Sequence, residues 1–353
     1  MKKLLLPFFV SVLWVFNSCT NTTSINDETA NNLPQSYDVY IAGRENNKAC
    51  YWKNTIKTDL TGGENLAAIE IKEENNNVYV TGSLGVTPTS FKSIHYFWKN
   101  GTKNEIKQYL GIPSGAQNDI TAFGVKNGDL YFAGYVENLS PANPNQRYEL
   151  CYWKNGVKTL LHQSPYIPSA EGLFINGSDI YVSARVVDNN QNVDRGYFKN
   201  TTFNSLGQPE YVFNFAKNNN GLQLLFKNNN KYYSKNITVN TETLIGNYGL
   251  PVPFYGKIAA DANAGDLYTI HSNAGYNYFK NSSIVSPSFS SLPLIQDLFV
   301  PDSNLYMIKY SATNNAYLGK VFINGVETQS INGTPNGTVN YTSTFNSIYV
   351  VEN

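Results

Sequence analysis

An all-β fold assembled from one repeated unit is what the sequence predicts, on three observations. Tyr and Phe make up most of an aromatic share of 14%, and both side chains fit pleated strands. Long amphipathic helical patterns are absent. A short aromatic motif returns along the chain, and the units it marks repeat at intervals of about 38 to 52 residues, in the range of propeller blades.

The motif is clearest in Cys50-Tyr51-Trp52-Lys53-Asn54, Tyr96-Phe97-Trp98-Lys99-Asn100-Gly101 and Cys151-Tyr152-Trp153-Lys154-Asn155-Gly156. Looser copies are Tyr197-Phe198-Lys199-Asn200, Tyr233-Ser234-Lys235-Asn236, Tyr278-Phe279-Lys280-Asn281 and Val321-Phe322-Ile323-Asn324-Gly325, which brings the count to seven. Before each copy stands an apolar element, as in Asp38-Val39-Tyr40-Ile41-Ala42-Gly43, Asn77-Val78-Tyr79-Val80-Thr81-Gly82 and Asp129-Leu130-Tyr131-Phe132-Ala133-Gly134. Asp179-Ile180-Tyr181-Val182, Asp266-Leu267-Tyr268-Thr269 and Asn304-Leu305-Tyr306-Met307 are looser versions, and Gly221-Leu222-Gln223-Leu224 is degenerate. A further one, Ser347-Ile348-Tyr349-Val350, closes the chain.

Each unit reads as four short strands, A to D: an apolar strand, the Val-Tyr strand, the Tyr-Trp-Lys-Asn strand, and a short strand after it such as Lys158-Thr159-Leu160-Leu161. Strand B is apolar on both faces, as expected where each sheet is packed between two others. Seven C strands predict a seven-bladed β-propeller of four-stranded antiparallel blades. Strand B counts to eight, because one copy opens the domain and another ends it. A C-terminal A strand is expected to complete the first blade and leave no free edge. The surplus B element keeps an eight-bladed ring with a composite last blade as the alternative.

The order of elements resembles the kelch type of propeller from about Tyr37 to the C-terminus. It differs in carrying a single Gly after strand B where kelch has a pair, with Ser183-Ala184 in the fourth unit. The resemblance implies the architecture and not the partners or activity of that family.

Residues 1–18 read as an export signal. Lys2 and Lys3 form a basic start, and the apolar run Leu4 to Phe16 is shorter than the roughly twenty residues a membrane-spanning helix needs. Phe16-Asn17-Ser18-Cys19 follows, and a small residue before a Cys at this place resembles the lipobox of bacterial lipoproteins. That resemblance implies a lipid on Cys19 as the mature N-terminus, a membrane as partner through that lipid, and, with no Asp directly after Cys19, a place at the outer membrane, periplasmic or surface-exposed. Residues 19–36, polar and without periodicity, read as a flexible tether, and 37–353 as the propeller.

Lys plus Arg and Asp plus Glu number 26 each. Loss of Lys2 and Lys3 leaves a net charge of about −2. No global field draws in nucleic acid, so none is expected as a partner. Cys50 and Cys151 occupy equivalent places in blades one and three. A disulfide needs Cα atoms within about 7 Å, and a whole blade lies between these two, so both are expected as buried thiols.

Within a blade, the A–B and C–D turns share one face of the disc, and the B–C and D–A loops share the other. The first set is short and Asn-Gly rich, at Asn127-Gly128, Asn155-Gly156 and elsewhere, which is hairpin chemistry. The recurring Lys of the motif stands beside these turns and reads as architecture. The second set is long, at Ser83 to Ser93, Tyr135 to Glu149, Val186 to Arg195, Leu110 to Asp119, His162 to Ala170 and Asn247 to Tyr255. Long loops on a rigid frame are where binding sits. The expected site is this face, weighted toward blades two to four, with Tyr135, Tyr166, Tyr248, Phe254 and Tyr255 as candidate ligand-binding aromatics for a glycan or protein partner.

Three histidines, His95, His162 and His271, show no metal-ligand spacing, and no nucleophile or phosphate-loop motif occurs, so neither a metal nor another cofactor is expected. Asp261 to Asp266 faintly resembles a calcium loop and reads as a turn. The expectation is a non-enzymatic binding or scaffolding module. The alternatives are a glycan-active enzyme using loop acids from Glu45, Glu137, Glu171 and Asp188, or a structural subunit of an envelope complex.

Overall fold

The computed structural model describes residues 37–84, 93–247, 256–271, 277–336 and 340–353. Residues 1–36, on which the expected export signal, Cys19 and the expected tether fall, lie outside them. Seven four-stranded antiparallel sheets stand in sequence order, with one small extra hairpin. Blade one takes Tyr37–Glu45, Lys48–Lys53 and Ile56–Glu64 as strands B, C and D. Blade two runs Ala67–Glu74, Asn77–Ser83, Tyr96–Lys99 and Thr102–Glu105. Blade three runs Asn118–Lys126, Asp129–Glu137, Tyr148–Lys154 and Val157–Ser164. Blade four runs Ser169–Asn176, Asp179–Val187, Val193–Lys199 and Thr202–Ser205. Blade five spans Tyr211–Asn218 to Thr241–Asn247, blade six Gly256–Ala260 to Ser283–Val285, and blade seven Leu294–Phe299 to Val326–Gly333. Among the described residues no helix is long and apolar enough to cross a membrane.

The surplus element finds its place in blade one. Thr344–Glu352 contains Ser347-Ile348-Tyr349-Val350 and pairs antiparallel with Tyr37–Glu45, Tyr349 opposite Tyr40 and Ile348 opposite Ile41. It is therefore strand A of the first blade and not an eighth B strand. Ser347-Ile348-Tyr349-Val350 is locally like the Val-Tyr element of strand B, and its pairing with Tyr37–Glu45 is what makes it strand A. Before it in the chain, Pro335–Asn336 and Asn340–Tyr341 pair as the small extra hairpin. The ring is thus closed by strands from the two ends of the propeller domain, and the blade count is seven.

Apolar residues gather into seven clusters, each shared by two neighbouring blades. Trp52 packs where blades seven and one meet, with its ring edge-on to Phe345 at 5.0 Å. Trp98 packs between blades one and two and donates its indole N–H to the Thr61 carbonyl at 2.8 Å. Trp153 packs between blades two and three. In their own sheets the three face Ile41, Val80 and Phe132, so they hold matching stations in successive blades. Cys50 and Cys151 are free, fully buried thiols.

A polar clasp recurs at the end of strand C. Asn155, with φ 50°, donates its N–H to the Leu130 carbonyl, accepts the Leu130 N–H at 2.9 Å and donates Nδ2 to Asp129 at 2.7 Å. Lys154 pairs with the same carboxylate at 2.7 Å and lies 5.6 Å from the Tyr131 ring centroid. Blade one repeats this with Asn54, Asp38, Lys53 and Tyr40, blade four with Asn200, Asp179, Lys199 and Tyr181, and blade six with Asn281, Asp266, Lys280 and Tyr268. In blades two and seven Asn77 and Asn304 stand in for the Asp. The motif Lys is architecture in blades one, three, four and six, and blade seven has Ile323 in its place.

Strand A carries a register shift against strand B in six of the seven blades. The bulge presses backbone onto the last station of the Val-Tyr element. A Cβ built on Gly134 falls against the Asp119 carbonyl and 2.7 Å from Ile120 Cα, which is why glycine ends that element. The extra residue of the bulge reaches the next blade. Asn346 Nδ2 donates to the Ala68 carbonyl at 2.7 Å, and Thr121 Oγ1 to the Ala170 carbonyl at 2.6 Å.

Two outcomes test this frame. Asn155→Ala removes a side chain from a left-handed position together with two hydrogen bonds, and the expected loss is about 1–2 kcal/mol by urea unfolding. Removal of residues 344–353 leaves the inner edge of Tyr37–Glu45 unpaired, and the expected result is loss of the cooperative transition, or aggregation, in scanning calorimetry.

The clasps also set the response to acid. Hydrogen bonds from Lys154 and Asn155 hold Asp129 below the usual carboxylate value, and Lys199 and Asn200 do the same for Asp179. At Asp266, Lys280 leads, and its hydrogen bond together with that of Asn281 outweighs burial. At Asp38 burial acts upward and is outweighed by Lys53 and Asn54. A depressed folded-state pKa contributes stability above the unfolded value of about 3.9, and that contribution is lost as pH falls through the folded value. The melting temperature is expected to hold from pH 8 to 5 and to fall below about pH 4. A variant with all four acids changed to Asn, the arrangement at Asn77 and Asn304, is expected to show a shallower acid fall. An equally steep one would sink the assignment.

Candidate functional site

Two adjoining clefts border the B–C loop of blade four, the first on the face formed by B–C and D–A loops and the second running from that loop as far as Thr201 in the C–D turn. The first, about 790 Å3, runs from Gln191, Asn192, Val193 and Arg195 of blade four across Gln208 to Tyr211, and on to Lys227 and Asn230 of blade five. The second, about 550 Å3, lies toward blade three and is lined by Leu161, His162, Asp188, Asp194, Phe198 and Phe203 among others. Asn192, Val193 and Gln208 border both.

The ridge between them is built by one carboxylate. Asp188 Oδ1 accepts the N–H groups of Asn190 and Asn192, and Oδ2 accepts from Asn192 Nδ2, all at 2.8 Å. The side-chain and backbone donors of Asn192 lead in holding this carboxyl below its usual value. Gln191 is left at φ 68°, aimed into the first cleft. An Asp able to bond its own backbone two and four residues on is what turns this loop sharply.

The far wall comes from the D–A loop. Arg195 Nη1 donates to the Pro209 carbonyl at 3.0 Å, and Leu206 N–H donates to the Arg195 carbonyl at 2.9 Å. Glu210 pairs with Lys227 at 2.7 Å and accepts the Asn230 N–H at 2.9 Å, and these contacts outweigh burial to hold its carboxyl below the usual value. Lys227 is almost wholly buried, 5.7 Å from the Tyr211 ring centroid. In the second cleft His162 Nε2 lies 3.1 Å from the Val187 carbonyl, so that nitrogen carries the proton.

Of the aromatics expected to bind, Tyr135 is buried. Its hydroxyl accepts from Gln117 Nε2 at 3.2 Å, and its ring meets Tyr148 edge-on at 6.1 Å. Tyr166 is half-buried, its N–H bonded to Ser164 Oγ at 3.0 Å. Tyr248, Phe254 and Tyr255 lie outside the described residues. The loop acids are engaged locally: Glu45 with Lys57 at 2.6 Å, Glu137 with Arg147 at 3.1 Å, Glu171 with Ser169 Oγ at 2.5 Å, and Asp188 within its own loop. Asp261 is a turn residue, its carboxylate accepting the N–H groups of Asn263, Ala264 and Ser303. Among the described residues no group of three His, Cys, Asp or Glu could hold a metal ion.

Residues not singled out from sequence are Arg185, Arg195, Tyr211 and Lys227. A signal was present for the first two, which flank one B–C loop ten residues apart in a chain with only four arginines.

Fold and clefts together define a closed seven-bladed propeller with a polar cleft on its long-loop face. No family model and no curated protein sequence matches the chain. Among solved structures it is similar to apo AztD from Citrobacter koseri, at 10% identity over 90% of this chain and 98% of that one, with a TM-score of 0.48. It is also similar to TolB from Acinetobacter baumannii, at 11% identity over 79% and 71% with a TM-score of 0.40. A chain of a nidogen/laminin complex is similar at 12% identity over 88% and 98%, with a TM-score of 0.38.

Proposed function

We propose that this protein is a lipid-anchored binding module of the cell envelope, kelch-like in the order of its strands, held at the outer membrane through Cys19 and engaging its partner on the long-loop face. The observation that carries the binding part is the pair of clefts on either side of the Asp188 loop, where the rigid frame presents amide, aromatic and cationic side chains together. The anchor rests on Lys2 and Lys3, the apolar run and Ser18-Cys19. A binding role fits a frame whose opposite face is occupied by clasps and tight turns.

Labelling with a fatty-acid analogue is expected to mark the full chain and place it in the outer-membrane fraction, with both lost in Cys19→Ala. A glycan array probed with detergent-solubilised full chain is expected to give hits that weaken in Asp188→Ala, whose loop is released, and persist in Lys154→Ala on the other face. Hits that depend on Lys154 and ignore Asp188 would overturn the assignment of the face.

A further inference from the structure

We infer that the cleft between blades four and five recognises a carboxylate-bearing saccharide, a uronic acid unit, through the guanidinium of Arg195 backed by Arg185. This rests on the loop-face reading above and names its ligand chemistry.

The chain contains four arginines, and all of them stand at the B–C ends of strands: Arg44 and Arg185 late in strand B, Arg147 just before strand C, and Arg195 early in it. The motif lysines stand at the opposite ends. The bidentate cation is thus confined to the loop face, where lysines such as Lys227 also stand. Arg147 is matched by Glu137. Arg185 and Arg195 are direct cross-strand partners, an arrangement in which like charges repel. Among the described residues neither has a carboxylate within ion-pair distance; each donates to a carbonyl, Arg185 to Ile167 at 2.9 Å and Arg195 to Pro209 at 3.0 Å. Burial and then Arg185 itself hold Arg195 below its usual value. Glu171 is near enough to act electrostatically on both, but it stands beyond ion-pair distance of either and accepts its hydrogen bond from Ser169 Oγ. Lys227 is already neutralised by Glu210. Among the described residues, therefore, the cleft carries a guanidinium with no carboxylate in ion-pair distance and a side-chain hydrogen bond from Nη1 alone.

The rest of the lining selects the kind of anion. Gln191, Asn192, Gln208 and Asn230 bring paired donors and acceptors, which suit neighbouring hydroxyls, and Tyr211 adds a ring. Hydroxyls beside a carboxylate, met by paired amide donors and acceptors and a guanidinium, describe an acidic sugar.

The test is calorimetric titration of detergent-solubilised full chain with a galacturonic acid oligosaccharide and with its carboxyl-reduced counterpart. The acidic form is expected to bind and the reduced form to bind at least about tenfold more weakly. Arg195→Gln, which keeps a donor for Pro209, is expected to weaken the acidic form roughly 10- to 100-fold, with Arg185→Gln smaller in the same direction. Unchanged melting temperatures establish that these variants fold, and Arg195→Lys is expected to restore only part of the affinity. Equal binding of both oligosaccharides, or an Arg195→Gln variant that binds as the parent does, overturns the inference while leaving the loop face standing. So does a hit confined to neutral glycans or to an acidic peptide that still depends on Asp188. Loss of binding only through the opposite face sinks this inference and the loop-face reading together.

Discussion

A sheet whose inner strands are apolar on both faces has nowhere to bury them except against two neighbours. Ile41, Val80, Phe132 and Val182 all sit in strand B with under 3% exposure, each inside a cluster that crosses to another blade. Hydrophobic burial in this molecule is therefore a property of interfaces between blades, and an open row would leave two faces wet. Closure follows from that need. Placing Thr344–Glu352 beside Tyr37–Glu45 makes blade one a composite of both ends of the domain, so the last interface forms only when the whole ring is in place.

Within this frame the polar groups do the positioning. The Asp–Asn–Lys–Tyr clasp joins the start of strand B to the end of strand C, which sets the register that brings Trp52, Trp98 and Trp153 to equivalent interfaces. The bulge of strand A works at the other end of the blade, aiming side chains such as Asn346 and Thr121 at the next sheet. One end of every blade is thereby given to structure. The loop end is left free to vary, and there the ridge at Asp188 and the unpaired arginines are found.

The fold was legible because repetition multiplies weak local signals. A Trp-Lys-Asn fragment means little once, but three copies and four looser ones at regular spacing leave few architectures. The candidate site was legible only as a face. Tyr135 has the composition of a binding residue and the surroundings of a packing one, since Tyr148 and Gln117 reach it from elsewhere in the chain. Arg185 and Arg195 look like ordinary loop-flanking charges until antiparallel pairing sets them side by side. A singular pair gains nothing from the repeat that exposed the rest.

The sequence by itself determined the repeating unit, its strand order, the tight turns of one face and the buried thiols, because each depends on residue type at short separation. Tertiary structure alone decided that Ser347-Ile348-Tyr349-Val350 is the inner strand of the first blade, since an apolar strand is the same object locally whichever neighbour it finds. It alone decided which loops border a cleft and which cations go unpaired. Those are questions of which distant groups meet, and charge compensation over a few ångströms has no trace in spacing along the chain.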